Sequence, residues 1–130
     1  MATFTLRKQL ACTYDEALAQ VPDALKSQGF GILTEIDVKD TLKKKIDVDF
    51  RRYKILGACN PPLAHRALST DLEIGVMLPC NVVVYEGDDG KAVVAAIDPT
   101  KTIAATGVPG LEELAATVRD KLAAALDLLH

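Results

Sequence analysis

The chain has 130 residues, 49% hydrophobic and 25% charged, the size and balance of one globular domain rather than a disordered segment. A formal net charge of −3 argues against the basic face that nucleic-acid binding needs. No apolar run approaches the roughly 20 residues of a membrane helix, and the start Met1-Ala2-Thr3-Phe4-Thr5-Leu6-Arg7 lacks a signal peptide's basic segment followed by a long apolar one. The expectation is one cytoplasmic domain, residues 1–130, with no membrane partner. Cys12, Cys59 and Cys80 are too few and too scattered for a disulfide framework and are expected as free thiols.

Residues Thr3 to Gln9 alternate, with Phe4, Leu6 and Lys8 on one side, which predicts an opening strand. Thr13 and Glu16 form a capping-box pair for a helix carrying Tyr14, Leu18, Val21 and Leu25 on one stripe and stopped by Gly29. Pro22 removes a backbone donor inside that helix and is expected to kink or divide it. Phe30 to Ile36 reads as a second strand, with Phe30, Ile32, Thr34 and Ile36 on one face and Leu33, Glu35 and Asp37 on the other. Asp37 is placed to cap a short helix through Lys44, so Lys43, Lys44 and Lys45 fall where a helix C-terminus favours cations.

Tyr53 to Ala58 is a third strand, ending at Cys59, and Asn60-Pro61 is a helix start: a capping side chain, then a ring pre-set for the first turn. Val76 to Tyr85 and Lys91 to Ile97 read as two strands joined by Gly87-Asp88-Asp89-Gly90. Pro79, inside the first of them, predicts a bulge or an edge position. Thr102 to Val108 reads as a loop. After Pro109-Gly110 comes the longest helix, with Leu111, Leu114, Ala115, Val118, Leu122, Ala125, Leu126 and Leu129 on one apolar face.

Glycine-rich phosphate loops, nucleophile-elbow serines and paired-His zinc motifs are absent from the sequence. The chemistry-bearing residues gather at two Cys-Asn steps. Cys59 precedes a helix N-terminus, where unpaired N–H groups favour a thiolate. Cys80 sits where Pro79 makes a strand irregular. If the two sulfurs meet they can ligate a soft metal, with His65 as a further candidate ligand, or exchange thiols; otherwise they are small buried hydrophobes. Glu35 and Asp37, two residues apart on a strand, are the carboxylates with room for acid–base or cation work, although Glu35 has Lys54 and Arg66 as candidate ion-pair partners. Asp98, before Pro99, is expected to shape a turn.

Three segments, Thr34-Glu35-Ile36-Asp37-Val38, Tyr53-Lys54-Ile55-Leu56-Gly57-Ala58-Cys59-Asn60-Pro61 and Leu78-Pro79-Cys80-Asn81-Val82-Val83-Val84-Tyr85, with Asp98-Pro99 after the last strand, together resemble domain-of-unknown-function family 302. Pro22 is the feature that departs from that family's pattern. The resemblance implies an α+β fold: a curved antiparallel sheet of about five strands of the TATA-binding-protein-like type, helices packed on one face, and a homodimer. It implies no agreed activity and no particular cofactor. The expected function is a non-catalytic dimer binding a small ligand or soft metal near Cys59 and Cys80, with Glu35, Asn60 and Asn81 beside them. The alternative is a thiol-dependent redox or sulfur-transfer enzyme using Cys59.

Overall fold

The computed structural model describes residues 4–130, so Thr3, expected in the first strand, lies outside the described residues. The elements in order are β1 (Thr5–Thr13), α1 (Tyr14–Ser27), β2 (Gly31–Asp37), α2 (Val38–Ile46), β3 (Tyr53–Cys59), α3 (Pro61–Thr70), a 3-10 helix (Leu72–Met77), β4 (Cys80–Glu86), β5 (Lys91–Ile97), α4 (Pro99–Thr102), a 3-10 turn (Ala104–Thr106) and α5 (Leu111–Asp127). The five strands form one antiparallel sheet in the order β1-β5-β4-β3-β2. The fold is α+β.

One face of the sheet is covered. Leu10, Leu56, Ala58, Val82, Val84, Val94 and Ala96 point into a single apolar core shared with α1, α3 and α5. The long stripe of α5 is buried along its length, with Leu111 and Leu122 fully enclosed, and each such side chain contributes about 1.5–3 kcal/mol by leaving water. Lys8 lies on this covered side too, its Nζ donating to the carbonyls of Leu126 and Leu129 at 3.2 and 2.7 Å. A cation thereby closes the negative end of α5.

Several local expectations hold. Thr13 and Glu16 make the full capping box, Gly29 leaves α1 at φ 86°, and Asp37 Oδ1 accepts from the Asp40 N–H at 2.9 Å. Asn60 and Asp98 each cap a helix that opens on proline; the four-residue helix after Asp98 was expected only as a turn. The lysine run of α2 is a solvated face, with Lys43 paired to Asp47 and Asp49, and Lys44 to Asp40.

Four expectations are corrected. The first strand runs on to Thr13 through an irregularity after Gln9. Pro22 does not divide α1: its ring is exposed, and the buried residues Ala17, Val21, Ala24 and Leu25 hold the helix through the missing bond, since packing of a helix face outweighs one lost backbone donor. The presumed strand from Val76 is a 3-10 helix up to Met77, and β4 begins only at Cys80, in the sheet interior between β3 and β5. Pro79 has no N–H for the ladder, so the strand starts behind it. In β2 the register shifts between Ile32 and Thr34: Ile32 pairs with Ala58 but Thr34 pairs with Gly57. That bulge splits the expected common face, sending Ile32 toward the core and Thr34 and Ile36 to the other side.

Candidate functional site

The ladder between β3 and β4 decides where each expected site residue points. Ala58 is opposite Cys80 and Gly57 is opposite Asn81. Cys80 therefore joins Leu56, Ala58 and Val82 on the covered face, 6% exposed. Asn81, one residue on, emerges on the open face. The two halves of the second Cys-Asn step serve opposite sides of the sheet.

Cys59 and Cys80 do meet the same space: both line a cavity under α3 with Phe30, Leu63, Leu78 and Val118. Its volume is about 40 Å3, enough for about one water molecule. Ligand pockets run to roughly 300–1,000 Å3, so the space between the sulfurs is small for the ligand expected there. Burial, and then the neighbouring Cys59, push the Cys80 thiol up to about 11, the opposite of activation.

The helix-terminus argument for Cys59 also changes. The first turn of α3 offers no free donor to a thiolate: Pro61 and Pro62 carry no N–H, the Leu63 N–H goes to Asn60 Oδ1 at 3.4 Å, and the Ala64 N–H goes to the Asn60 carbonyl at 2.8 Å. Asn60 is committed to structure, its Nδ2 also donating to the Gln28 carbonyl at 3.3 Å. His65 lies about 200° around α3 from both Leu63 and Ala67, which are buried, so it is exposed and turned from the cavity. Among the described residues no three His, Cys, Asp or Glu side chains could hold a metal ion; the expected set of Cys59, His65 and Cys80 does not assemble.

Glu35 is likewise separate. It pairs in register with Leu56 and is tied to Lys54 by an ion pair, away from both sulfurs. That hydrogen bond is the largest cause holding the Lys54 ammonium above its ordinary pKa. Asp98, 5% exposed, accepts from the Thr100 N–H and hydroxyl and from Arg119 Nε at 3.0, 2.6 and 3.2 Å. Burial alone would raise its pKa, but these donors together outweigh burial and hold it below the usual carboxylate value.

A larger concavity than the one between the cysteines is on the open face, which alternation in the sequence singled out only indirectly. Across the strands the facing side chains form rows: Arg7, Ala95, Val83, Ile55 and Ile36 in one, and Gln9, Val93, Tyr85 and Tyr53 in the next. Tyr53 and Tyr85 stack with ring centroids 5.4 Å apart and planes 7° from parallel. Small Ala95 lies between Arg7 and Val83, and over it is a hollow of about 290 Å3 whose walls include Phe4, Arg7, Val83 and Tyr85. The signal was in β4 and β5, where Val82-Val83-Val84-Tyr85 and Ala92 to Ile97 are apolar on both faces. An antiparallel strand with only one buried face alternates instead.

Among the described residues no helix is long and apolar enough to cross a membrane. No curated protein gives a significant match. A solved structure, that of an uncharacterized conserved protein DUF302 from Bacillus stearothermophilus, is similar with a TM-score of 0.91 and 33% identity, over 99% of this chain and 100% of that one. The family model described as Domain of unknown function DUF302 matches residues 6–129. Fold, length and sequence thus agree, and the chain belongs to the DUF302 family.

Proposed function

We propose that this protein is a non-catalytic small-ligand-binding homodimer whose ligand sits on the open face of the sheet. The observation that carries the reading is the hollow over Ala95, about 290 Å3 against about 40 Å3 for the cavity between the cysteines. Of these two spaces the hollow is the one that approaches the size of known ligand pockets; a wider cleft of about 430 Å3 beside α2 is lined almost wholly by charged side chains, Asp37, Lys39, Asp40, Lys43 and Asp49. The residues lining the hollow are apolar or aromatic with a few polar groups, and include no His, Cys, Asp or Glu to act as nucleophile or general base.

Support for a second copy comes from the β2–α2 margin. Leu33, Ile36, Ile46, Val48 and Phe50 are all exposed there, beside an edge strand with one unpaired side. Sedimentation velocity should give a dimer for the wild type and a monomer for Ile46→Glu/Phe50→Glu; a monomeric wild type removes the dimer from the reading.

The ligand site is tested with N-phenyl-1-naphthylamine, a neutral dye that fluoresces in apolar surroundings. Ala95→Leu fills the hollow without adding charge and should weaken dye binding while leaving the circular dichroism spectrum unchanged. Equal affinity in the two proteins would refute the location.

A further inference from the structure

We infer that the ligand of the open face is a planar aromatic anion, its charge paired with Arg7 and its rings laid toward Tyr85. The inference rests on the open-face reading above and adds the chemical class of the ligand.

Among the described residues Arg7 is the only charged one lining the hollow. Neither it nor Arg66 of α3 has a carboxylate partner among the described residues, whereas Arg51, Arg52 and Arg119 are paired with Asp88, with Asp15 and Glu86, and with Asp98; of the two, Arg7 is the one at the hollow. An exposed guanidinium beside an apolar floor, with no acid facing it, is complementary to a carboxylate or sulfonate, which it binds through two parallel N–H groups.

The remaining geometry orders the ligand. Thr5 and Asn81 also line the hollow, each two residues along its strand from Arg7 and from Val83, so these two polar groups flank the Arg7–Ala95–Val83 row on one side. Tyr85 and Tyr53 flank that row on the other side, where the stacked phenol pair presents a flat wall, and Val83 lies across β5 from Arg7. β1 and β4 are separated by β5 alone, so Arg7 and the Val83–Tyr85 wall stand about 10 Å apart at the backbone, two strand spacings. A one- or two-ring aromatic acid spans that distance.

A second copy seated face to face is the competing occupant. It would bury Arg7 against a surface whose hollow holds no carboxylate, and an unpaired buried charge opposes association. The charge pattern thus favours an organic anion over self-association at this face.

The test compares two dyes that differ by one charged group: 8-anilino-1-naphthalenesulfonate and its neutral parent N-phenyl-1-naphthylamine. Each is titrated into the wild-type protein, Arg7→Gln and Ala95→Leu, with circular dichroism confirming the fold of each. The wild type should bind the sulfonate about tenfold more tightly than the neutral dye, as a charge-assisted hydrogen bond implies. Arg7→Gln should remove that preference and leave the neutral dye within about twofold, and Ala95→Leu should weaken both. 2-Naphthoate should displace the sulfonate dye where neutral 2-naphthamide does not. Neutral-dye binding without a sulfonate preference, or a preference that survives Arg7→Gln, overturns the anion and leaves the open-face reading standing. Failure of both dyes, or binding of both unchanged by Ala95→Leu, overturns the two readings together. Failure of both dyes with a dimer that Ala95→Leu dissociates assigns the face to a second copy.

Discussion

Replacing Gly57 by alanine adds one methyl group at the most crowded point of the sheet. Gly57 is buried in β3, with β2 on one side and β4 on the other, and its φ is not in the left-handed region. The requirement for glycine is therefore one of space. A Cβ there would run into Thr34 Oγ1 and would lie 2.7 Å from Pro79 Cγ, where ordinary carbon contacts are about 3.5–4.0 Å. The two clashes relax differently. Thr34 is exposed and its hydroxyl can rotate away, at about 0.5–1.5 kcal/mol if the new χ1 is strained. The Pro79 ring has no such freedom, so the β3–β4 connection must shift, and overpacking of this kind costs about 1–3 kcal/mol. Restricting the unfolded chain returns about 0.4–1 kcal/mol. The net expectation for Gly57→Ala is a loss of about 1–3 kcal/mol, seen as a Tm lower by roughly 3–10 °C for a domain of this size. Urea unfolding should give the same loss with an unchanged m-value. Thr34→Ala alone should be nearly silent, and in the double variant it should recover about 0.5–1 kcal/mol, the coupling expected of touching residues. Gly57→Ala at wild-type stability, or two losses that simply add, would refute the close packing of β2 on β3 at this position.

Two further predictions concern ionisation. Asp98→Asn keeps the shape of the side chain but weakens its three hydrogen bonds, and should cost about 1–3 kcal/mol at pH 7. Because the folded pKa of Asp98 is lowered, its stabilisation is present above the unfolded carboxyl pKa and lost as pH falls through the folded one. The gap between wild type and variant in urea titrations should narrow below about pH 4, and a gap independent of pH would contradict the assignment. Cys80 has the reverse sign: its thiol is held up to about 11 against 9.0 for an ordinary one, so the folded state resists deprotonation and loses stability between those two values as pH rises. Iodoacetamide at pH 8 should leave Cys80 unmodified in the folded protein and modify it after unfolding, as peptide mass spectrometry reads out; rapid native modification would revive a reactive-thiol role.

How far the residues announce this fold depends on whether the information is local. The Thr13–Glu16 box, the Asn60-Pro61 start and the Gly87–Gly90 hairpin are each written in a few adjacent residues, and each is present. Pro79 needed more: its missing N–H was visible, but the apolar Val76-Met77 pair before it invited an extension of the strand. In the fold Val76 and Met77 are exposed, and Ile74 is the buried residue of that 3-10 helix. Hydrophobicity alone does not distinguish an exposed apolar turn from a strand.

The candidate site was harder to place because it depends on parity, which no single strand reveals. Side chains alternate with a period of two, so one inserted residue reverses everything beyond it. The bulge in β2 is such an insertion: Ile32 is set against Ala58 and Glu35 against Leu56, both on the covered side, with Thr34 between them facing out against Gly57. Grouping Glu35 with the cysteines and Asn81 required all four to share a face and an end of the sheet. The ladder instead leaves Cys80 inside, Asn81 outside and Glu35 on β2 opposite Leu56, two residues along β3 from Ala58 at the cavity. The same parity built the better candidate. Arg7, Ala95 and Val83 stand in one row only because two antiparallel pairings are in register, and that row leaves a hollow only because its middle member is alanine. Enlarging Ala95 should therefore weaken dye binding at the open face, whereas altering Cys59 or Cys80 should leave it intact.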